Sequence, residues 1–316
     1  MRVWGSSVFE HRLEGFEPDN FLAFLALIGV LRVLEAERAE WHARLAWNGV
    51  PLRPTLTIAE KCTPEDLGEL LACGVHAFAA AYAFDEDDIK YTPDSLRAVA
   101  RKARAASMAR ADIIAALGSD GVCKRSGDVV EPTPLCAMLG SGHQHFLRRL
   151  ANAAASRTAG ATISRSLFRP WTYDDAGESF RWDPVEDRRY AYQSGNPSDS
   201  GNKIGIMLGA NRLAATGFGI WACSPAARGL RVRGIIGRGA TRTVSWPIVS
   251  LKTSLDGHLA LLAHPFLIDE RARLLSAYGV SHVARANRYQ VGKYFNFARA
   301  VLQPLTAALS PEPAVR

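Results

Sequence analysis

Apolar residues crowd the first tenth of the chain. Residues 21–31 read FLAFLALIGVL, without one charged or amide side chain. That pattern predicts a helix from about residue 21 to residue 37. Asp19 or Asn20 stands where an N-cap accepts from the free amides of the first turn. The helix is apolar nearly all round as far as Leu34, so it is expected at the centre of the fold. At about eleven residues the run falls well short of the ~20 that span a bilayer. Before it, a strand is predicted near residues 3–13. After it, Leu45, Trp47, Leu52, Leu56 and Ile58 mark short strands broken at Gly49-Val50-Pro51 and Pro54.

Further along, the pattern predicts helices at about 64–84, 94–117 and 144–155. The first of these has Thr63 as N-cap, Pro64 at its first position and Asp66 three residues beyond the cap. The acidic run Asp85-Glu86-Asp87-Asp88 ends it. Residues 118–134 read as a loop and 160–192 as strands and turns. Residues 211–221 are either a helix or a buried strand, because Gly217 and Gly219 weaken the helical reading. Residues 230–236 and 241–249 form a hairpin around Gly237-Arg238-Gly239. Two last helices are expected at about 265–278 and 288–302, with residues 310–316 disordered. The class is therefore α+β: a helical, acidic N-terminal part and a basic, antiparallel-sheet-containing C-terminal part. The expected division is 1–125 helix-rich, 126–309 basic α+β, and 310–316 tail.

Charge sharpens this division. The net charge is +7, but residues 1–96 carry 8 Lys/Arg against 16 Asp/Glu, a net of −8, and the remainder carries +15. Such asymmetry points to a basic part that meets a polyanion and an acidic part that faces protein or solvent. The five cysteines are widely spaced and none forms C-x-x-C, which argues against disulfides and zinc and for a reducing compartment. Charges interrupt any signal-like segment near the start, so a cytoplasmic location without membrane contact is expected.

Candidate catalytic sets are weak. His143 and His145 are spaced to chelate from a strand, yet a metal site needs further ligands, and on a helix the two diverge. Asp128 and Glu131 are near in sequence only. Gly234-Ile235-Ile236-Gly237-Arg238-Gly239 lacks the Gly-Lys-Ser/Thr of a phosphate loop and lies between strands. Ser141 in Gly140-Ser141-Gly142 is not the Gly-x-Ser-x-Gly elbow of hydrolases. No cofactor is implied.

Binding chemistry is better represented. Residues 182–221 carry aromatics, amides and cations on a Gly/Ser/Asn-rich background. Within them Gln193, Asn196, Asn202 and Asn211 can probe base edges, while Lys203 and Arg212 can hold phosphate. Asn202 and Asn211 could equally serve turns or caps. Arg188 and Arg189 could pair internally with Asp183 and Glu186. In the predicted hairpin, Arg231 and Arg233 alternate with Leu230 and Val232, which puts both on one face, flanked by Arg228, Arg238 and Arg242. That face either neutralises phosphates or pairs with the acidic N-terminal part. In the tail, Arg285, Arg288, Tyr289, Gln290, Lys293, Tyr294 and Asn296 interleave cations, aromatics and amides.

Two segments carry a resemblance. Glu14-Gly15-Phe16 with Pro18-Asp19-Asn20 and the apolar run as far as Arg32 resembles the opening of large-subunit-type proteins of type I CRISPR–Cas systems, in particular subtype I-G (formerly I-U). Trp182-Asp183-Pro184-Val185-Glu186-Asp187-Arg188-Arg189-Tyr190-Ala191, followed by Gly209-Ala210-Asn211-Arg212-Leu213-Ala214, is similar to a stretch of the same group. The resemblance implies a non-catalytic subunit of an RNA-guided surveillance complex (Cascade). Its partners would be CRISPR guide RNA, double-stranded target DNA, other Cascade subunits and a recruited helicase-nuclease. Its task would include reading the protospacer-adjacent motif, while the guide reads sequence by pairing. Two alternatives stay open: a metal-dependent phosphodiesterase built on His143 and His145, and a scaffold without direct nucleic-acid contact.

Overall fold

A computed structural model describes residues 8–125, 127–138, 145–177, 179–186, 205–227, 229–238, 241–291 and 294–305. Its organising element is helix α1, Phe21–Glu37, capped by Asn20, whose side chain accepts from Ala23 N at 3.2 Å. Every residue from Phe21 to Leu34 is buried, as the unbroken apolar pattern predicts. Against α1 lies α7, Leu208–Phe218, all but its first residue buried. The two helices touch through backbone. A Cβ on Gly29 would sit 1.9 Å from Leu213 O, and one on Gly217 would sit 2.2 Å from Leu25 O. These glycines let the helices approach more closely than side chains permit, so the stretch that could have been a strand is a helix.

The acidic N-terminal part contains a three-stranded antiparallel sheet, ordered β1 (Phe9–Arg12), β3 (Arg53–Ile58), β2 (Arg44–Asn48). Pro54, expected to break a strand, lies inside β3 opposite Trp47. Helix α2, Pro64–Ala77, begins with the predicted cap: Thr63 and Asp66 exchange bonds in a capping box. A single helix over 94–117 was expected. Instead there are two, α3 (Pro93–Ala106) and α4 (Met108–Leu117), because Ser107 leaves the helical conformation at φ −168° and accepts from Arg110 N. A short pair, β4 (Gly118–Cys123) and β5 (Val130–Pro132), follows where a loop was predicted. Then come α5 (Phe146–Ala155) and α6 (Gly160–Phe168). Helix α6 replaces an expected strand. Its Ile163 and Leu167 are fully buried, four residues apart on one helical face, and it packs on α2.

The C-terminal part is a seven-stranded antiparallel sheet in the order β11-β10-β9-β8-β7-β6, with β12 also on β10. The strands are β6 (Cys223–Ala226), β7 (Gly229–Val232), β8 (Ile235–Arg238), β9 (Thr241–Val249), β10 (Val280–Val291), β11 (Tyr294–Phe297) and β12 (Val301–Pro304). The predicted hairpin exists as β8–β9, but its first arm is cut by a second turn at Arg233-Gly234, where Gly234 has φ +65°. The expected helix over 288–302 is corrected to strand: Arg288–Val291 pair with Tyr294–Phe297, and Val301–Pro304 pair with the start of β10. Here period 2 prevails, since Phe295 and Phe297, two residues apart on one face of β11, are both buried. The expected 265–278 helix is two 3-10 segments, Pro265–Ile268 and Glu270–Tyr278, preceded by α8, Leu255–Ala263.

One hydrophobic cluster runs from Leu13 to Leu305, so the two composition-defined regions share a core across the boundary expected near 118–134. Phe21 is its pivot, with ring centroids 5.6 Å from Trp221, 5.5 Å from Trp246 and 4.9 Å from Phe297. Trp246 Nε1 donates to Pro18 O at 3.1 Å, which fixes the chain entering α1 to the sheet. All five cysteines are free. Among the described residues no helix is long and apolar enough to cross a membrane.

Gly217→Ala tests the helix contact. Alanine raises helix propensity by about 1 kcal/mol, but the clash is with backbone and overpacking costs about 1–3 kcal/mol. Urea denaturation is expected to show a net loss of stability, and an unchanged or higher midpoint would refute the close approach.

Candidate nucleic-acid interface

Residues 187–204, which include Gln193, Asn196, Asn202 and Lys203, lie outside the described residues. The two ends of this stretch are held firmly. On the near side Trp182 stacks between Phe180 and Phe218, with centroids at 4.6 and 5.9 Å, and donates to Leu135 O at 2.9 Å. On the far side Ile206 pairs with Asp175 through two backbone bonds of 3.2 and 2.8 Å. The Asp175 carboxylate also accepts from Leu208 N at 3.0 Å, at the start of α7, and pairs with Arg165.

The remaining predicted residues divide. Asn211 is 1% exposed; its amide donates to Met207 O at 3.0 Å inside the fold, so the expectation that it probes a base is corrected to a structural role. Burial of α7 against α1 is the reason, because Asn211 lies one turn from the helix start with both faces covered. Arg212 is also buried, but it lines a groove of about 660 Å³. Arg149, Asn152 and Ser156 of α5 and its C-cap form the opposite wall, with Gly177 at the edge. Among the described lining residues there is no carboxylate. Gly177 of the groove lies two residues from Asp175, which pairs with Ile206. Arg231 and Arg238 are exposed. Arg233 is not beside Arg231 on a strand face. It lies in the β7–β8 turn and donates to Ile220 O at 3.1 Å.

Several other candidates are engaged internally. Arg242 is buried and pairs with Glu131. Arg288 sits opposite it on β10, stacked over Phe295 at 3.4 Å and donating to Cys136 O at 3.2 Å. Burial, with Arg242 beside it, pushes the Arg288 guanidinium down to about 10. His145 Nδ1 lies 2.9 Å from the Asp88 carboxylate, which also accepts from Phe146 N at the start of α5. His143 is outside the described residues, and among those described no group of three or more His, Cys, Asp or Glu side chains could hold a metal ion.

The structure joins the two sequence segments that carry the resemblance. Asn20 Nδ2 donates to Asp183 Oδ1 at 3.2 Å, and Val185 N donates to the same oxygen at 3.0 Å. Burial pushes the Asp183 carboxyl up to about 6, against the opposing pull of its bonds from Val185, Asn20 and Tyr173. Beside this contact is a second cavity, of about 170 Å³. Trp171, Tyr173 and Asn20 line it together with Glu17, Arg53 and Arg299. Glu17 bridges the two cations, 2.8 Å from Arg299 Nη1 and 3.6 Å from Arg53 Nη2. No sequence signal singled out Arg149 and Asn152, which share α5 at the groove, or Arg53 and Arg299, which meet at the second cavity from separate segments. No family model matches the chain, and no curated protein or solved structure compared with it does either.

Asp183→Asn keeps an oxygen for Asn20 and Val185 and removes the buried charge. The folded-state carboxyl titrates near 6 and the unfolded one near 3.8, so the native state holds the extra proton between them and stability falls as pH rises through that window. The variant is expected to match the parent below about pH 4 and to be more stable above about pH 6 by about 3 kcal/mol. Denaturation midpoints across that range check it, and equal profiles would refute a buried ionising Asp183.

Proposed function

We propose that this chain is a non-catalytic, nucleic-acid-binding subunit of a type I CRISPR surveillance complex of subtype I-G, acting with guide RNA at the protospacer-adjacent motif. The observation that carries the nucleic-acid part is the groove formed by Arg149, Asn152, Ser156 and Arg212. Two guanidiniums beside amide and hydroxyl donors suit phosphate oxygens, which accept charge-assisted bonds. Outside the described residues, Gln193, Asn196 and Asn202 are proposed to read base edges and Lys203 to hold phosphate. Exposed Arg231 and Arg238 add positive charge on the sheet. The placement within a surveillance complex rests on the sequence resemblance, whose two segments meet at Asn20 and Asp183. In the proposed role the guide supplies sequence discrimination by pairing, the protein reads a short motif and backbone shape, and cleavage belongs to a recruited helicase-nuclease.

The assembled complex is expected to contain guide RNA and to bind duplex DNA in a motif-dependent way that weakens steeply with salt. Arg149→Ala is expected to lower affinity for all sequences alike and to reduce the slope of log affinity against log salt by about 1. Filter binding over a salt series measures both. Equal binding of every duplex whatever its flanking motif would refute motif reading by this subunit. An unchanged slope in the variant would refute phosphate contact in the groove.

A further inference from the structure

The cavity beside Asn20 differs in chemistry from the groove. Its walls are two aromatic rings, Trp171 and Tyr173, set edge to face with centroids 6.2 Å apart at 87°. Trp171 is fixed by donating to Ser166 O at 2.9 Å and by packing on Phe16 at 5.7 Å. Tyr173 is held at φ +59°, a left-handed conformation that aromatic residues rarely adopt. A Cβ on Gly205 would lie 1.9 Å from its carbonyl oxygen, so the returning strand clamps it there. Strain of this kind persists where the surroundings fix a side chain in one position.

The rim is balanced, with Glu14 and Glu17 against Arg53 and Arg299. Its cations are already bridged by Glu17, so it offers a phosphate no net attraction. It offers a neutral planar ring one of two perpendicular aromatic rings to stack on, and it offers an exocyclic amine the carboxylate oxygens of Glu14 and Glu17, which are nearly half exposed and retain free acceptor positions. The cavity and the groove are neighbours along one segment. Tyr173 lines the first and Gly177 the second, and four residues of chain put them at most about 14 Å apart. A strand with its phosphates in the groove can therefore set one base into the cavity.

We propose that this cavity binds a single unpaired nucleobase that carries an exocyclic amine, while the Arg149–Arg212 groove holds the flanking phosphates. The proposal rests on the nucleic-acid reading above and deepens it by assigning the base subsite.

The test uses the full chain and two short single-stranded RNAs, one with 2-aminopurine at its 5′ end and one with it at its 3′ end, each carrying a fluorophore at the opposite end. Anisotropy reports binding, and quenching of 2-aminopurine reports stacking on Trp171 or Tyr173. Quenching is expected for at least one RNA. Unlabelled RNAs ending in A, C or G are expected to compete about fivefold better than one ending in U. Glu17→Gln is expected to weaken RNAs ending in A, C or G about fivefold, to the level of the one ending in U, and Arg149→Ala to weaken all RNAs and keep the preference. Thermal unfolding checks that each variant is folded, and Glu14→Gln replaces Glu17→Gln if the latter is not. Binding without quenching at either end, or a preference that survives the carboxylate substitution, overturns the base subsite and leaves the phosphate groove standing. Absence of any RNA binding overturns the nucleic-acid reading, and the base subsite with it.

Discussion

The contact on which the rest depends is the backbone-level packing of α1 on α7. Two glycines, Gly29 and Gly217, bring the helices so close that carbonyl oxygens take the space where methyl groups would otherwise lie. This places Phe21 among Trp221, Trp246 and Phe297, and so ties the N-terminal helices to the C-terminal sheet in one core. The same contact fixes both ends of the 187–204 stretch. Trp182 stacks on Phe218 of α7, and Leu208 begins α7 on the Asp175 carboxylate.

Charge distribution changes meaning once the chain is folded. The basic excess of the second part is partly consumed inside the molecule, by Arg242 with Glu131, Arg165 with Asp175 and Arg233 with the Ile220 carbonyl. Arg299 crosses to the acidic part and meets Glu17 and Asp19. The charge that faces solvent is local, as at the exposed Arg231 and Arg238. Affinity for a polyanion would therefore come from a few placed contacts with counterion release, rather than from a general field of +7.

The Asn20–Asp183 contact shows how a polar pair can organise an apolar core. Asn20 caps α1 with its oxygen and reaches Asp183 with its amide, so one side chain satisfies two segments. The cost appears in the Asp183 carboxyl, which burial holds near 6. Retaining an ionisable group where an amide would serve suggests specificity of chain placement at this junction, in keeping with buried polar residues that fix one arrangement over others.

Local chemistry made much of the fold legible in the sequence. The cap and apolar run of α1, the Thr63–Asp66 capping box and the strands broken at residues 49–51 follow from neighbours in sequence, and the α+β class follows from them. Long-range packing decided the rest. Ser107 divides a pattern that reads as one helix, α6 is helical because α2 offers its apolar face a partner, and residues 294–297 and 301–304 are strands because β10 supplies an edge to pair with. At the candidate site the sequence marked residue types but not their surroundings. Asn211 and Arg212 are adjacent in the chain, yet only the second reaches the groove, since a helix turns successive side chains by about 100°. Arg149, Trp171, Tyr173 and Arg299 carried no local signal at all. Their meeting depends on contacts between segments far apart in sequence, which periodicity and spacing do not encode.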